Sequence, residues 1–88
     1  MIEKFRHASS CKNNSLIKEL IRKTADINET DSVGRNALMY ALIDNLDISI
    51  IDLLIKHGIQ VNCADNEQNW TPLHYAANAQ NLEAVKVL

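Results

Sequence analysis

Apolar residues fall along the chain in stripes of helical spacing, and the stripes recur. Leu16, Ile17, Leu20 and Ile21 are followed 34 residues later by Ile50, Ile51, Leu54 and Ile55. Another 34 residues on, Ala84, Val85 and Leu88 stand in the places of Ile50, Ile51 and Leu54. Spacings of three and four put each stripe on one face of an amphipathic helix. A second set precedes each stripe: Phe5 and Ala8, then Leu38 and Ala41, then Leu73 and Ala76, at offsets of 33 and 35. Such one-residue drift belongs in surface turns, here near Asn45 to Ile48 and in the loop Asp65 to Thr71, so the helices keep register. The pattern predicts two helices per unit in three units, 1–28, 29–63 and 64–88, each boundary good to a few residues.

Helix ends are legible too. Thr71 followed by Pro72 is a helix start, because a hydroxyl accepts from an orphan amide and proline loses nothing at the first helical position. Asn36 is expected to cap in the same way one unit earlier. Gly58, after Lys56 and His57, is the matching stop, since glycine enters the left-handed region without penalty and cations suit a helix C-terminus. Thr24 occupies that place in the first unit and is a poorer cap. The segments after the stops also recur, as TADIN at Thr24 to Asn28 and GIQVN at Gly58 to Asn62. One such unit buries too little apolar surface to offset the entropy of ordering it, so neighbours must stack as a one-dimensional array.

The stretch TPLHYAANAQNLEAVKVL, beginning at Thr71, resembles the ankyrin repeat in period and in the TPLHxA signature at Thr71 to Ala76. The resemblance extends over the chain as an N-terminal helical pair, one full repeat and one incomplete repeat. It implies an all-α fold, an ankyrin-repeat solenoid of stacked helix-turn-helix pairs joined by β-hairpin loops, in a single domain over 1–88. In the middle unit Asn36-Ala37-Leu38-Met39 replaces TPLH, so the hydrogen bonds the family draws from Thr and His cannot come from Met39; His74 makes them in the third unit alone. The last unit stops inside its second helix, without glycine, hairpin or polar capping helix, so truncation is expected. An apolar face around Ala79, Leu82 and Val85 is then expected to be open to self-association.

The resemblance places the ligand surface on the concave side, on hairpin tips and the exposed face of each first helix. That assigns partner contacts to Ser32, Val33 and Arg35 around Gly34, and to Asn66, Glu67, Gln68 and Trp70 around Asn69. Gly34 and Asn69 match as turn residues tolerant of positive φ. Trp70, the sole tryptophan, is either an interface anchor or an indole folded over its own unit. Tyr40 and Tyr75 are equivalent, with His7 in the same place in the first unit, which predicts a stacked column of rings facing the groove; Asn78 follows on the same helix as Tyr75. Glu29, Asp31, Asp65 and Glu67 face only Arg35, so a basic partner segment would be steered here. Asn28 and Asn62 sit where ankyrin asparagines are sometimes hydroxylated by an asparaginyl oxygenase, although each is first expected to bond main chain and hold its hairpin.

Composition narrows the alternatives. A chain of 88 residues with 47% hydrophobic content folds as one small domain, and 5% aromatics with two glycines and one proline favour helices over a turn-rich sandwich. A net charge of −2 disfavours nucleic acid. No apolar run approaches the roughly 18 residues of a membrane span, and the charged start at Glu3, Lys4 and Arg6 lacks a signal-peptide core, so no membrane is expected as a partner. Cys11 and Cys63 are too few for a disulfide framework, which favours the cytoplasm, or a host's cytoplasm for a delivered effector. His7, His57, His74 and the two cysteines fall in separate segments, and no CxxC, HxxxH or phosphate loop occurs. Catalysis, a metal and a cofactor are therefore not expected. The expected role is a protein-interaction scaffold or adaptor. The second reading is a targeting or regulatory arm of a larger enzyme or host-directed bacterial effector, whose catalytic part would lie past residue 88.

Overall fold

A computed structural model describes every residue from Met1 to Leu88 and contains six helices. In chain order they are α1 (Ile2–Ser10), α2 (Asn14–Lys23), α3 (Ala37–Ile43), α4 (Ile48–Lys56), α5 (Pro72–Asn78) and α6 (Leu82–Val87). They pair as antiparallel neighbours α1/α2, α3/α4 and α5/α6. The first helices stack as α1 on α3 on α5, and the second helices as α2 on α4 on α6. Two layers of helices therefore enclose one core. The long loops carry no strands: main-chain bonds close the tips, Asp31 N to Arg35 O at 3.1 Å with Gly34 N to Asp31 O at 3.0 Å, and Asp65 N to Trp70 O at 2.9 Å.

Burial follows position in the stack. Ile50 and Ala84 are fully buried, whereas their counterpart Leu16 in the first pair is 37% exposed. That position faces the preceding pair, and α2 has none. Phe5 and Leu38 are fully buried, whereas Leu73, their counterpart in the third pair, is 48% exposed with no further pair stacked on it. The middle pair, covered on both sides, contributes Leu38, Met39, Leu42, Ile50, Ile51 and Leu54 to the fully buried core. Leu53 and Val61 are only half-buried, on the flank of that pair. At the other end, Ala79 and Leu82 are exposed and Val85 half-buried.

Caps satisfy the helix ends with side chains. Asn13, Asn36 and Asn81 accept from the amides of Leu16, Met39 and Ala84 at 3.3, 3.0 and 3.1 Å. Thr71 N donates to His74 Nδ1 at 3.1 Å, and Thr71 Oγ1 lies 2.8 Å from the same nitrogen. In the middle pair the loss of Thr and His is made good by Asn36, whose Nδ2 donates to Gln60 O at 3.2 Å and to Cys63 Sγ at 3.1 Å. Met39 adds no polar bond and is buried instead.

The short turns inside each pair share one device that sequence did not reveal. Lys12, Asn45 and Gln80 all adopt positive φ, at 55°, 52° and 56°. The following amide in each case reaches back five residues, to the carbonyls of Ala8, Ala41 and Ala76. This closes the helix C-terminus with a left-handed residue. Nothing in the side chains of Lys12 or Gln80 marks them for that conformation; the tertiary pairing imposes it.

Candidate functional site

Each of the second and third units begins with an aspartate that organises its loop. Asp31 Oδ1 accepts from the amides of Val33 and Arg35 at 3.1 and 3.0 Å. Asp65 Oδ1 accepts from the amides of Gln68 and Trp70, both at 3.1 Å. The other oxygen of each accepts from a tyrosine hydroxyl of the following helix, Tyr40 onto Asp31 and Tyr75 onto Asp65. Burial pushes both carboxyls up, but the hydroxyl, the two amides and Arg35 together outweigh it, so both titrate below the ordinary aspartate value of 3.8. Burial, then the neighbouring carboxylate, raise the two tyrosines.

Arg35 ties these two modules together. Its Nε donates to the Tyr75 hydroxyl oxygen at 3.3 Å and lies 3.8 Å from Asp65 Oδ2, while Nη2 donates to Glu67 Oε2 at 2.9 Å. The bond to Tyr75 leads in holding the guanidinium charged, above its ordinary range. A residue assigned to the tip of one unit is thus bonded across to the next. Beside it, Asn66 N donates to Val33 O at 2.8 Å, so the two tips are joined through main chain as well.

The expected stacked column of rings does not form. Tyr40 and Tyr75 are 7% exposed and spend their hydroxyls on aspartates, and His7 is exposed on α1 with its Nε2 4.0 Å from Cys11 Sγ. The rings that do meet belong to Trp70, which stacks on His74 at 6.0 Å and meets Tyr75 edge-on at 5.2 Å. The indole lies over its own unit, half-buried, with part of its surface left to solvent.

Around this wall the structure forms a groove of about 340 Å³, lined by Arg35, Gln68, Trp70, Tyr75 and Asn78 together with Leu42, Ile43 and Ala79. Five side chains assigned to partner contact from sequence therefore converge between the second and third helical pairs. Ser32, Val33, Asn66 and Glu67 stand apart on the tips, and Tyr40 lies buried behind Asp31. Ile43 was not assigned a role, yet it is 43% exposed and lines the groove. The available signal was a large apolar residue one position past the buried face of α3.

The acidic set is largely engaged within the molecule. The Asp65 side chain is fully buried, Asp31 holds its loop, and Glu29 Oε1 accepts from Ile2 N at 2.7 Å and pairs with the Met1 amine at 3.0 Å. Glu67 remains 59% exposed. Asn28 Oδ1 accepts from Gln60 N at 2.7 Å, the expected bond that holds a hairpin, but made to the next unit. Asn62 is exposed and makes no equivalent bond. Cys63 is half-buried beside Asn36 with its thiol pushed up by burial, Cys11 is exposed in the first turn, and His57 Nδ1 lies 2.9 Å from Leu53 O at the end of α4. No three His, Cys, Asp or Glu side chains gather in a metal-holding group, and no helix is long and apolar enough to cross a membrane.

Stacked helical pairs with TPLH-type caps and aspartate-organised tips define a repeat protein of the interaction-module class. Comparison gives the particular family: the ankyrin-repeat model matches three copies over residues 5–88, and the chain belongs to that family. A fowlpox virus ankyrin repeat protein is 38% identical over 73 residues, covering 83% of this chain and 12% of the relative. Human cyclin-dependent kinase 4 inhibitor B is 31% identical over 72 residues, covering 82% of this chain and 51% of the inhibitor. Palmitoyltransferase Hip14 of Drosophila melanogaster is 35% identical over 72 residues, covering 82% of this chain and 11% of that protein. The chain thus spans only a small part of the length of most such relatives.

Proposed function

We propose that the chain binds a protein partner in the groove between its second and third helical pairs, with Arg35, Gln68, Trp70, Tyr75 and Asn78 lining the contact and Ser32, Val33, Asn66 and Glu67 extending it onto the tips. The observation that supports this reading is the convergence of an exposed Ile43, a partly open indole and uncommitted amides of Gln68 and Asn78 in one concave groove. Such a mixture of apolar wall and a few polar groups suits a peptide segment with an apolar anchor. Tyr40 supports the surface from beneath. A basic segment in the partner would be drawn to Glu67, since Asp31 and Asp65 are already bonded inside the loops. The compartment that fits is the cytoplasm, of the cell or of a host.

The test is capture from cell extract on the immobilised chain, compared with an Ile43→Ser, Asn78→Ala variant whose helical content is first shown to be unchanged. Loss of specific partners from the variant is expected; the same partners at equal yield would remove the groove from consideration. A second reading is that these repeats position or regulate a larger polypeptide, as the enzyme name of the palmitoyltransferase relative suggests. Of the two candidate asparagines, Asn62 has the free carboxamide, so hydroxylation is assigned to it rather than to Asn28. An added oxygen mapped by peptide mass spectrometry to Asn28 would reverse that assignment.

A further inference from the structure

A second cleft is larger than the groove described above. It is a notch of about 620 Å³ between the α3–α4 turn and the α5–α6 turn, meeting the groove at Ala79. Its walls are Asn45 to Ser49 on one side and Ala79 to Glu83 on the other. Each wall is fixed by its left-handed residue and by a main-chain bond, Leu46 N to Ala41 O and Asn81 N to Ala76 O, both 2.9 Å. Across the notch, Asn81 Nδ2 donates to Asn45 Oδ1 at 3.2 Å. The cleft is therefore set before anything enters it, and little ordering remains to oppose binding.

Its surface is mostly polar, with an apolar patch and two acids. Ile48, Ala79 and Leu82 supply the apolar part, and Leu82, at 71%, is the most exposed large apolar side chain of the protein. Asp47 makes no capping bond with its side chain, and neither it nor Glu83 enters any ion pair. The corresponding turn between α1 and α2 differs in sign: Lys12 stands where Asn45 and Gln80 stand in the later turns, and Asn13 and Ser15 replace the two acids. More widely, Lys4, Arg6, Lys12, Lys18, Arg22 and Lys23 outnumber acids in the first pair, whereas past residue 28 the acids dominate. A positively charged ligand is thus directed to this notch and away from the α1–α2 turn.

We propose that this notch docks a protein segment in which a lysine or arginine adjoins a leucine-like side chain, the cation held by Asp47 and Glu83 and the apolar group packed on Leu82, Ile48 and Ala79. This is a second docking surface, which shares only Ala79 with the concave groove. The competing explanation is that both acids serve only the starts of α4 and α6, where negative charge suits the helix dipole.

Amide chemical shifts of the full 88-residue chain, titrated at low ionic strength with the peptide acetyl-Arg-Leu-Lys-amide, separate the two. Saturable shifts confined to Asn45–Ser49 and Ala79–Glu83 are expected, with none from acetyl-Glu-Leu-Glu-amide. Asp47→Asn and Glu83→Gln should each weaken binding about two- to fivefold, the range of a single exposed ion pair. Leu82→Ser should weaken it further, and added salt should reduce the wild-type affinity. Equal shifts from the acidic peptide, shifts centred on Trp70 and Arg35, or unchanged affinity in folded Asp47→Asn and Glu83→Gln chains would each overturn the assignment.

Discussion

Arg35 is the side chain whose removal should most clearly separate the second unit from the third. Replacing it by methionine keeps the apolar stem and deletes the charge. Three interactions go at once: the bond to the Tyr75 hydroxyl, the exposed pair with Glu67 and the approach to fully buried Asp65. The Glu67 pair alone is worth about 0.2–1 kcal/mol, since its carboxylate is largely in water. Stranding a buried carboxylate costs about 3–5 kcal/mol in the extreme, but Asp65 keeps two amide donors and the Tyr75 hydroxyl. The net expectation is about 1–3 kcal/mol. For a domain of this size that moves a urea midpoint by about 1–2 M.

The assay is supplied by the molecule, because the sole tryptophan, Trp70, packs on Tyr75 at this junction. Fluorescence should report loss of the third unit at lower urea than circular dichroism reports loss of the first two, so the two transitions should separate in Arg35→Met while coinciding in the parent chain. Glu67→Gln should shift the midpoint by less than half as much. Coincident transitions at the parent midpoint in Arg35→Met would show that Arg35 does not couple the units.

Acid should act on the same network. Asp31 and Asp65 have depressed folded-state titrations, so their contribution is fully present above the unfolded value of 3.8 and is lost as pH falls through the lower folded value. Urea midpoints should therefore be flat above about pH 5 and fall in the acid range, and Asp65→Asn should flatten part of that fall. Asn36→Ala removes the α3 cap and the bonds to Gln60 O and Cys63 Sγ, and should cost about 1–3 kcal/mol in the same measurement. Gly34→Ala should cost more than Gly58→Ala, although both glycines have positive φ. A Cβ at Gly34 would meet Asn66 main-chain N at 3.2 Å, whereas at Gly58 it meets nothing within 4 Å, leaving only the conformational penalty of about 1–2 kcal/mol. Self-association through the apolar face around Ala79, Leu82 and Val85 is expected at high concentration, and sedimentation velocity should show it weakened by Val85→Ser.

The helices, their pairing and their stacking are legible along the chain. Period-34 apolar stripes leave water only by lying side by side, and Asn36, Gly58 and Thr71-Pro72 mark ends through purely local chemistry. Because a repeat carries position from one unit to the next, Arg35, Gln68, Trp70, Tyr75 and Asn78 could be grouped from the chain alone, and they line one groove. What the sequence could not specify is anything that depends on a neighbouring unit. Tyr40 and Tyr75 read as ring surfaces, but each hydroxyl finds an aspartate that only the folded loop brings to it. Arg35 read as a partner contact on its tip, yet the next unit's Tyr75 and Glu67 hold it. Leu38 and Leu73 are indistinguishable in pattern and differ wholly in burial, since burial depends on what is stacked against them. Local bonding and periodicity are written along the chain; contacts across the stack arise from the superposition of units, where residues some 30 to 40 positions apart meet.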